Sequence, residues 1–217
     1  MILWAFLVVV AAYLLGSINF AVIFSNAFMK KDVRDMGSGN AGTTNVMRNA
    51  GFLPGALTFL CDALKGLAAT LAGKLVFDYI YNSVGESWAL PIYGAYLCGV
   101  ACMLGHVFPI FFQFKGGKGV ATSVGIYAIC CPLAIALGIM VFTAGTLIFR
   151  YVSLASLIGT VVVVSCSLIF ATDGALLWPQ AVLSILMGII VISKHNTNIK
   201  RLLNGTESKV GGKKKNG

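Results

Sequence analysis

The sequence predicts an all-α, polytopic integral membrane protein, with seven transmembrane helices joined by short cytoplasmic loops that carry its motifs. Three observations predict it. Hydrophobic residues make up 58% of the chain and charged residues 11%, with a mean hydropathy of +0.89, too apolar for an ordinary soluble domain. The apolar residues fall in long runs, and nearly all charges lie between those runs. The lysines and arginines favour alternate loops, so the charge has a side. A net charge of +9 on a soluble chain would suggest a nucleic-acid partner, but confinement of that charge to membrane-flanking loops argues against one. The 217 residues fit a single membrane-embedded domain, 1–217.

Seven apolar segments follow in order, at roughly 2–28, 54–82, 88–105, 118–131, 132–149, 153–171 and 176–194, ahead of a basic tail, 195–217. The first has no basic leader and no clean small-residue cleavage site, so it reads as a retained span. The fourth is short and abuts Pro132, which leaves a broken or re-entrant element as its alternative. With the N-terminus outside, the inner loops collect Lys30, Lys31, Arg34, Arg48, Lys115, Lys118, Arg150 and the tail. The outer loops hold Glu86 and Asp173, with Asp78 at a helix end and Lys74 nearby. An even number of spans would break this positive-inside pattern. Lys213-Lys214-Lys215 reads as an inner-leaflet anchor or a solvated tail. Cys61, Cys98, Cys102, Cys130, Cys131 and Cys166 fall inside apolar runs without metal-ligand spacing and read as small packing residues.

All the polar segments then share one face, which points to a site at the cytoplasmic membrane surface. The first, Gly37-Ser38-Gly39-Asn40-Ala41-Gly42-Thr43-Thr44-Asn45-Val46-Met47-Arg48, offers turn-forming glycines with hydroxyls and amides that donate to phosphate. A helix from Thr43 puts Thr44, Asn45 and Arg48 on adjacent turns, where Arg48 can grip a phosphate. A helix-capping loop is the plainer reading. The second, Gly105-His106 through Phe114-Lys115-Gly116-Gly117-Lys118-Gly119, combines glycines that let N–H groups approach an anion, two cations, and phenylalanines suited to a lipid boundary. It lacks the G-x-x-x-x-G-K-[ST] pattern, so ATP is not indicated.

Asp62 and Lys65 share a face of an apolar helix, where they pair as a structural bridge or lend Lys65 to the anion site. Neither His106 nor His195 has an aspartate four residues on, so that acyltransferase base motif is missing. Arg150-Tyr151-Val152-Ser153 makes a short inner turn that brings Ser153 to the same face. In His195-Asn196-Thr197-Asn198-Ile199-Lys200-Arg201, a helix aligns His195 with Asn198, and Asn198 with Arg201. An amphipathic tail on an anionic membrane is the alternative there.

Taken in order, these segments resemble the bacterial acyl-phosphate:glycerol-3-phosphate acyltransferases, through G-S-G-N-A-G-T-T-N-V-M-R, D-A-L-K-G, G-H-V-F-P-I-F-F-Q-F-K-G-G-K-G-V-A-T, R-Y-V-S-L-A-S-L and H-x-x-N-I-x-R-L-L-x-G-T-E-x-K. The resemblance runs from Gly16-Ser17 to Lys209, with Asn196 where arginine is frequent and Thr43 where alanine is common. It implies a seven-helix bacterial inner-membrane enzyme with a cytoplasmic active site and C-terminus. The partners it implies are glycerol 3-phosphate, a fatty acyl phosphate and the bilayer, and the product is 1-acylglycerol 3-phosphate for phospholipid synthesis. Ser38, Arg48, Lys115, Ser153, His195 and Asn198 would contact glycerol 3-phosphate. Thr44 and Gly116-Gly117-Lys118-Gly119 would serve the donor phosphate, and Asn40, Asn45, Lys65, His106, Arg201 and Glu207 complete the expected substrate-binding set. His195, Asn198, Lys115, Arg48 and Ser153 are the expected catalytic residues.

The chemistry suits that inventory. An acyl phosphate is a mixed anhydride with an activated carbonyl and a good leaving group, so direct transfer needs orientation and charge neutralisation rather than a covalent nucleophile. No cofactor and no metal are expected: Mg²⁺-dependent transferases usually need paired aspartates, and the chain has only seven acidic residues in all. The proton acceptor is either His195 or a substrate phosphate oxygen. The competing function is a membrane transporter for an organic phosphate, which should carry polar residues through the midplane of several helices; here they concentrate in one, as Asp62, Lys65 and Lys74.

Overall fold

The computed structural model describes residues 1–170 and 177–211. Asp173, Lys213–Lys215 and the facing ends of the segments expected at 153–171 and 176–194 lie outside the described residues. Among the described residues the chain is helical throughout, with no strand.

The first apolar segment is two helices, α1 (Ile2–Gly16) and α2 (Phe20–Met29). The break has a local cause: the Asn19 side chain accepts from Val22 N at 3.3 Å and so caps a new helix, while Ser17 Oγ donates back to Tyr13 O. Lys30 ends α2 in the left-handed region. Two short elements follow, a 3₁₀ turn at Val33–Asp35 and α3 (Thr43–Ala50), and Gly51 at φ 97 turns the chain into α4 (Phe52–Val84). Its 33 residues rise about 50 Å, more than the bilayer core needs.

α4 is the axis of the molecule, packed by α1, α3, α5 (Pro91–Val107) and α6 (Val120–Cys130). Small residues make these approaches possible, as helix packing in lipid requires. A Cβ on Gly73 would overlap the Gly94 carbonyl oxygen, one on Gly94 the Gly73 oxygen, and one on Gly125 the Ala63 oxygen. The core sits where α5 packs against α6 and α9 (Leu177–Lys194), around Tyr96, Met103, Ile126 and Met187. α7 (Pro132–Phe149) and α8 (Val152–Ile169) form a hairpin closed by Arg150 in the left-handed region. α9 (Leu177–Lys194) then bends by 55° at His195 into α10 (Asn196–Leu203).

Among the described residues five segments suffice by length and composition to cross a membrane, Ile2–Met29, Phe52–Val84, Pro91–Phe112, Pro132–Phe149 and Val152–Ile169, and the bent pair α9–α10 raises this to six. The chain is therefore a multi-pass membrane protein. The expected seventh, 118–131, is α6, whose 11 residues rise about 16 Å against a core of roughly 30 Å.

Candidate active site

One carboxylate organises the polar end of the bundle. Glu207 Oε1 accepts from Ser153 Oγ at 2.7 Å and from Asn198 Nδ2 at 2.8 Å, while Oε2 accepts from Arg201 Nε at 2.7 Å. Asn198 Oδ1 in turn accepts from Lys118 Nζ. The amide is thereby oriented without ambiguity, since its oxygen must meet the ammonium and its NH₂ the carboxylate. Helix α10 makes this possible by placing Asn198 and Arg201 on one face. Burial works to raise the Glu207 carboxyl, but the bonds from Arg201, Ser153 and Asn198 outweigh it and hold it below its ordinary value. Burial pulls the Lys118 ammonium down to about 8, with Glu207 opposing the shift and Arg201 and Arg48 adding to it.

His195 is buried at the α9–α10 bend, with Nδ1 2.8 Å from Val191 O. A carbonyl only accepts, so the proton sits on Nδ1 and Nε2 carries the lone pair. Burial first, and then Lys118, hold its conjugate acid at about 4.

Two cavities open at this end and share Gly39. One, of about 200 Å³, is lined by Ser38, Gly39, Asn40, Lys118, Lys194, Thr197, Asn198 and Arg201. The other, of about 340 Å³, is lined by Asp32, Arg34, Asp35, Gly39, Gln113, Lys115 and Gly116. Lys118 and Lys115, three residues apart, thus face different cavities. The turn that leads into Lys115 is tight: Gln113 and Phe114 both take left-handed backbone at φ 58, and Phe114 N returns to Pro109 O at 2.9 Å.

The other expected site residues have mixed placements. Arg48 is exposed, donates to Ser208 O at 3.2 Å, and stands close enough to Lys118 to repel it. Asn45 is turned inward: Nδ2 donates to the Val33, Met36 and Asn40 carbonyls and Oδ1 accepts from Ser38 N, so it shapes the 33–40 loop rather than facing a cavity. Thr44 lies in the first turn of α3 and lines neither cavity. Lys65 and His106 are buried beneath the glycine loop, outside both cavities. Gly117 and Gly119 are buried as well, and the Cα of Gly117 faces the His106 ring, not open space.

Lys194, Thr197, Asp32, Arg34, Asp35, Gly39 and Gln113 were not expected in the site. A signal existed for two of them: Lys194 is the basic residue adjoining His195, and Arg34 is a cation of the first inner loop. Lys194 Nζ lies 4.1 Å from the centroid of the Phe108 ring, which puts a cavity-lining cation on the apolar rim. Arg34 is clamped by Asp32, with Nη2 2.7 Å from Oδ2, and donates through Nη1 to Phe112 O at 2.9 Å. Among the described residues no group of three or more His, Cys, Asp or Glu is placed to hold a metal ion.

Fold and site together define a class: a multi-pass helical membrane protein with two adjoining polar cavities at one end of its bundle, one of them rich in cations. Comparison with known proteins narrows it. The family model for glycerol-3-phosphate acyltransferase matches residues 6–205. "Glycerol-3-phosphate acyltransferase 2" of Bacillus anthracis is 39% identical over 204 residues, covering 94% of this chain and 98% of that one. The crystal structure of PlsY (YgiH), an integral membrane glycerol 3-phosphate acyltransferase, superposes in its glycerol 3-phosphate form with a TM-score of 0.81 at 36% identity, covering 95% of this chain and 96% of that chain. Its lysophosphatidic acid form gives a TM-score of 0.78 at the same identity. The chain belongs to the glycerol-3-phosphate acyltransferase family and is an acyltransferase.

Proposed function

We propose that this protein moves a fatty acyl group from acyl phosphate to the 1-hydroxyl of sn-glycerol 3-phosphate, releasing phosphate and 1-acyl-sn-glycerol 3-phosphate, in phospholipid synthesis. The observation that carries the reading is the pair of polar cavities meeting at Gly39, one lined by the cations Lys118, Lys194 and Arg201, the other by Lys115 beside the paired Arg34 and Asp32 and by Asp35. A reaction between two phosphate-bearing substrates needs two anion sites in contact. The solved relatives in glycerol 3-phosphate and lysophosphatidic acid forms support the acceptor and the product.

Transfer is direct. The C1 oxygen attacks the acyl carbonyl carbon, the carbonyl–phosphate C–O bond breaks, and phosphate leaves with the electron pair. Arg48, Lys115, Lys118 and Arg201 supply the charge that this developing anion requires. Ser153, Asn198 and Glu207 hold two of those cations, Lys118 and Arg201, in register through their hydrogen bonds. His195 presents a lone pair at Nε2, but a conjugate acid at about 4 makes it a weak base. It therefore orients the hydroxyl, and a substrate phosphate oxygen takes the proton.

The topology we infer is seven crossings with the N-terminus outside and the site on the cytoplasmic face of the bacterial inner membrane, the whole chain forming one domain. Convergence of the polar loops supports the parity. Arg48, Lys118, Ser153, Asn198 and Glu207 meet in one cluster, so the chain leaves and returns between each pair: α4 with α5, α6 with α7, α8 with α9. Short α6 fits if the bilayer thins beside it. The decisive experiment supplies purified protein with labelled glycerol 3-phosphate and a fatty acyl phosphate, without metal or coenzyme A. Stoichiometric lysophosphatidate and phosphate are expected; no product from acyl phosphate, or uptake of unacylated glycerol 3-phosphate into vesicles, overturns the reading.

A further inference from the structure

One cluster of charged and titratable side chains lies inside the helical bundle and outside both cavities. Asp62 and Lys65 stand one turn apart on α4, nearly without exposure, with Lys65 Nζ 2.7 Å from Asp62 Oδ1. His106, buried on α5, brings Nδ1 to 3.4 Å from the same oxygen. Lys65 also donates to Ile18 O at 2.7 Å, in the break between α1 and α2, and lies over the Phe20 ring. Desolvating such a pair costs enough that apolar residues of similar volume commonly do as well for stability. The use of the cluster is therefore sought in what it touches.

What it touches is the glycine loop. Gly117 N donates to His106 O at 3.1 Å. A Cβ on Gly116 would overlap that same carbonyl oxygen, and a Cβ on Gly117 would overlap His106 Nε2 and come within 2.6 Å of Ala41 O. The imidazole is thus held between the Asp62 carboxylate on one side and the main chain of Gly117 on the other. Lys65 fastens the same carboxylate to the α1–α2 break.

We propose that Asp62 and Lys65 are positioning residues for the Gly116–Gly119 loop, acting through His106. The carboxylate sets the tilt of the imidazole, and His106 sets how the loop's N–H groups and Lys118 stand against the donor phosphate. This rests on the reading of that loop as the donor-phosphate site. It also gives the buried charge of Lys65 a task other than contact with substrate, for which its burial leaves no path.

The test uses full-length protein, with Asp62→Asn, His106→Gln and the double variant Asp62→Asn/Lys65→Met. The double variant removes both charges together and so leaves no unpaired ion to block folding. Initial rates are taken per folded protein, alongside Tm. Misplacing the loop should lower kcat about 10- to 100-fold. The KM for acyl phosphate and the inhibition constant of inorganic phosphate should rise, with the KM for glycerol 3-phosphate within about twofold. Combining Asp62→Asn with His106→Gln should cost no more than the worse single change, because both act through one ring. Variants with lowered Tm but wild-type kinetics would reduce the cluster to a structural ion pair and overturn the proposal. A wild-type protein that makes no lysophosphatidate from acyl phosphate would instead overturn the functional reading, so the two failures are distinguishable.

Discussion

Ser153 Oγ donates to Glu207 Oε1 at 2.7 Å, and this bond ties the first turn of α8 to a tail segment 54 residues further along the chain. The same carboxylate gathers Asn198 and Arg201, and through Asn198 it reaches Lys118. Four separate stretches of sequence therefore depend on one acid for their mutual placement.

Glu207→Gln should cost on the order of 2 kcal/mol of stability, since it removes charge-assisted bonds and leaves Arg201 without its anion. The sign with pH follows from the depressed carboxyl: its stabilisation is complete above the ordinary value of 4.5 and is lost as pH falls through the lower folded value. Tm measured against pH should fall in acid for the wild type, and this component should be missing in Glu207→Gln. Parallel curves for the two proteins would show that the carboxylate adds nothing.

Lys118 makes the reaction sensitive to alkali. With its ammonium held at about 8, it loses its charge as pH rises through that value, and a phosphate site loses a cation. In the free enzyme kcat/KM should therefore fall about tenfold per pH unit above 8. Lys118→Arg should move that limb beyond the accessible range, since a guanidinium stays charged. An unchanged limb in the arginine variant would assign it to another group.

Much of this site is legible in the amino-acid sequence. The glycines and cations of the 115–119 loop, the His195–Asn198–Arg201 face and the convergence of the inner loops follow from residue type and helical period. The division of labour is not. Asn45 reads as a phosphate donor, but its side chain bonds to the 33–40 loop and to Asn49; Lys65 reads as a site cation, but it is paired with Asp62. Which way a polar side chain points is a tertiary fact, set by what packs behind it. The break at Ser17–Asn19 is likewise hidden, because an apolar run keeps its hydropathy whether or not Asn19 caps a new helix within it. The parity of the crossings can be argued from charge alone, and the shortness of α6 shows in the sequence as the short apolar run between Lys118 and Pro132.

Gly117→Ala should reduce activity about 100-fold while the protein still expresses in the membrane. Left-handed backbone is not the reason, since among the glycines of this loop only Gly119, at φ 87, adopts it. The added methyl would meet the His106 ring and the Ala41 carbonyl, pushing apart the two loops that frame the cavities. Gly119→Ala should be impaired for the separate reason that its backbone conformation disfavours any Cβ. Wild-type turnover in Gly117→Ala would mean that the ring and the Ala41 loop yield without moving the cations.

Arg48→Ala and Lys115→Ala remove two exposed cations, of which Lys115 lines a cavity and Arg48 donates to the Ser208 carbonyl. Each should leave Tm within about 2 °C, as surface changes do. Each should also raise KM for a phosphate-bearing substrate or lower kcat by about tenfold or more. Unchanged kinetics in both would remove them from the site.

Direct transfer makes a sharper claim about Ser153, the buried hydroxyl of the cluster. A serine nucleophile needs a base, and the group it touches is a carboxylate held below its ordinary value, which is a poor proton acceptor. His195, the alternative base, has its Nδ1 committed to Val191 O and a conjugate acid at about 4. Ser153 is therefore a hydrogen-bond donor that orients Glu207, and Ser153→Ala should lower kcat about 10- to 100-fold without abolishing turnover, as loss of an orienting bond does. Intact-mass measurement after incubation with acyl phosphate alone should find unmodified protein, and rapid-quench kinetics should show no burst of phosphate. A stoichiometric acyl adduct, lost in Ser153→Ala together with all activity, would replace direct transfer with a two-step mechanism.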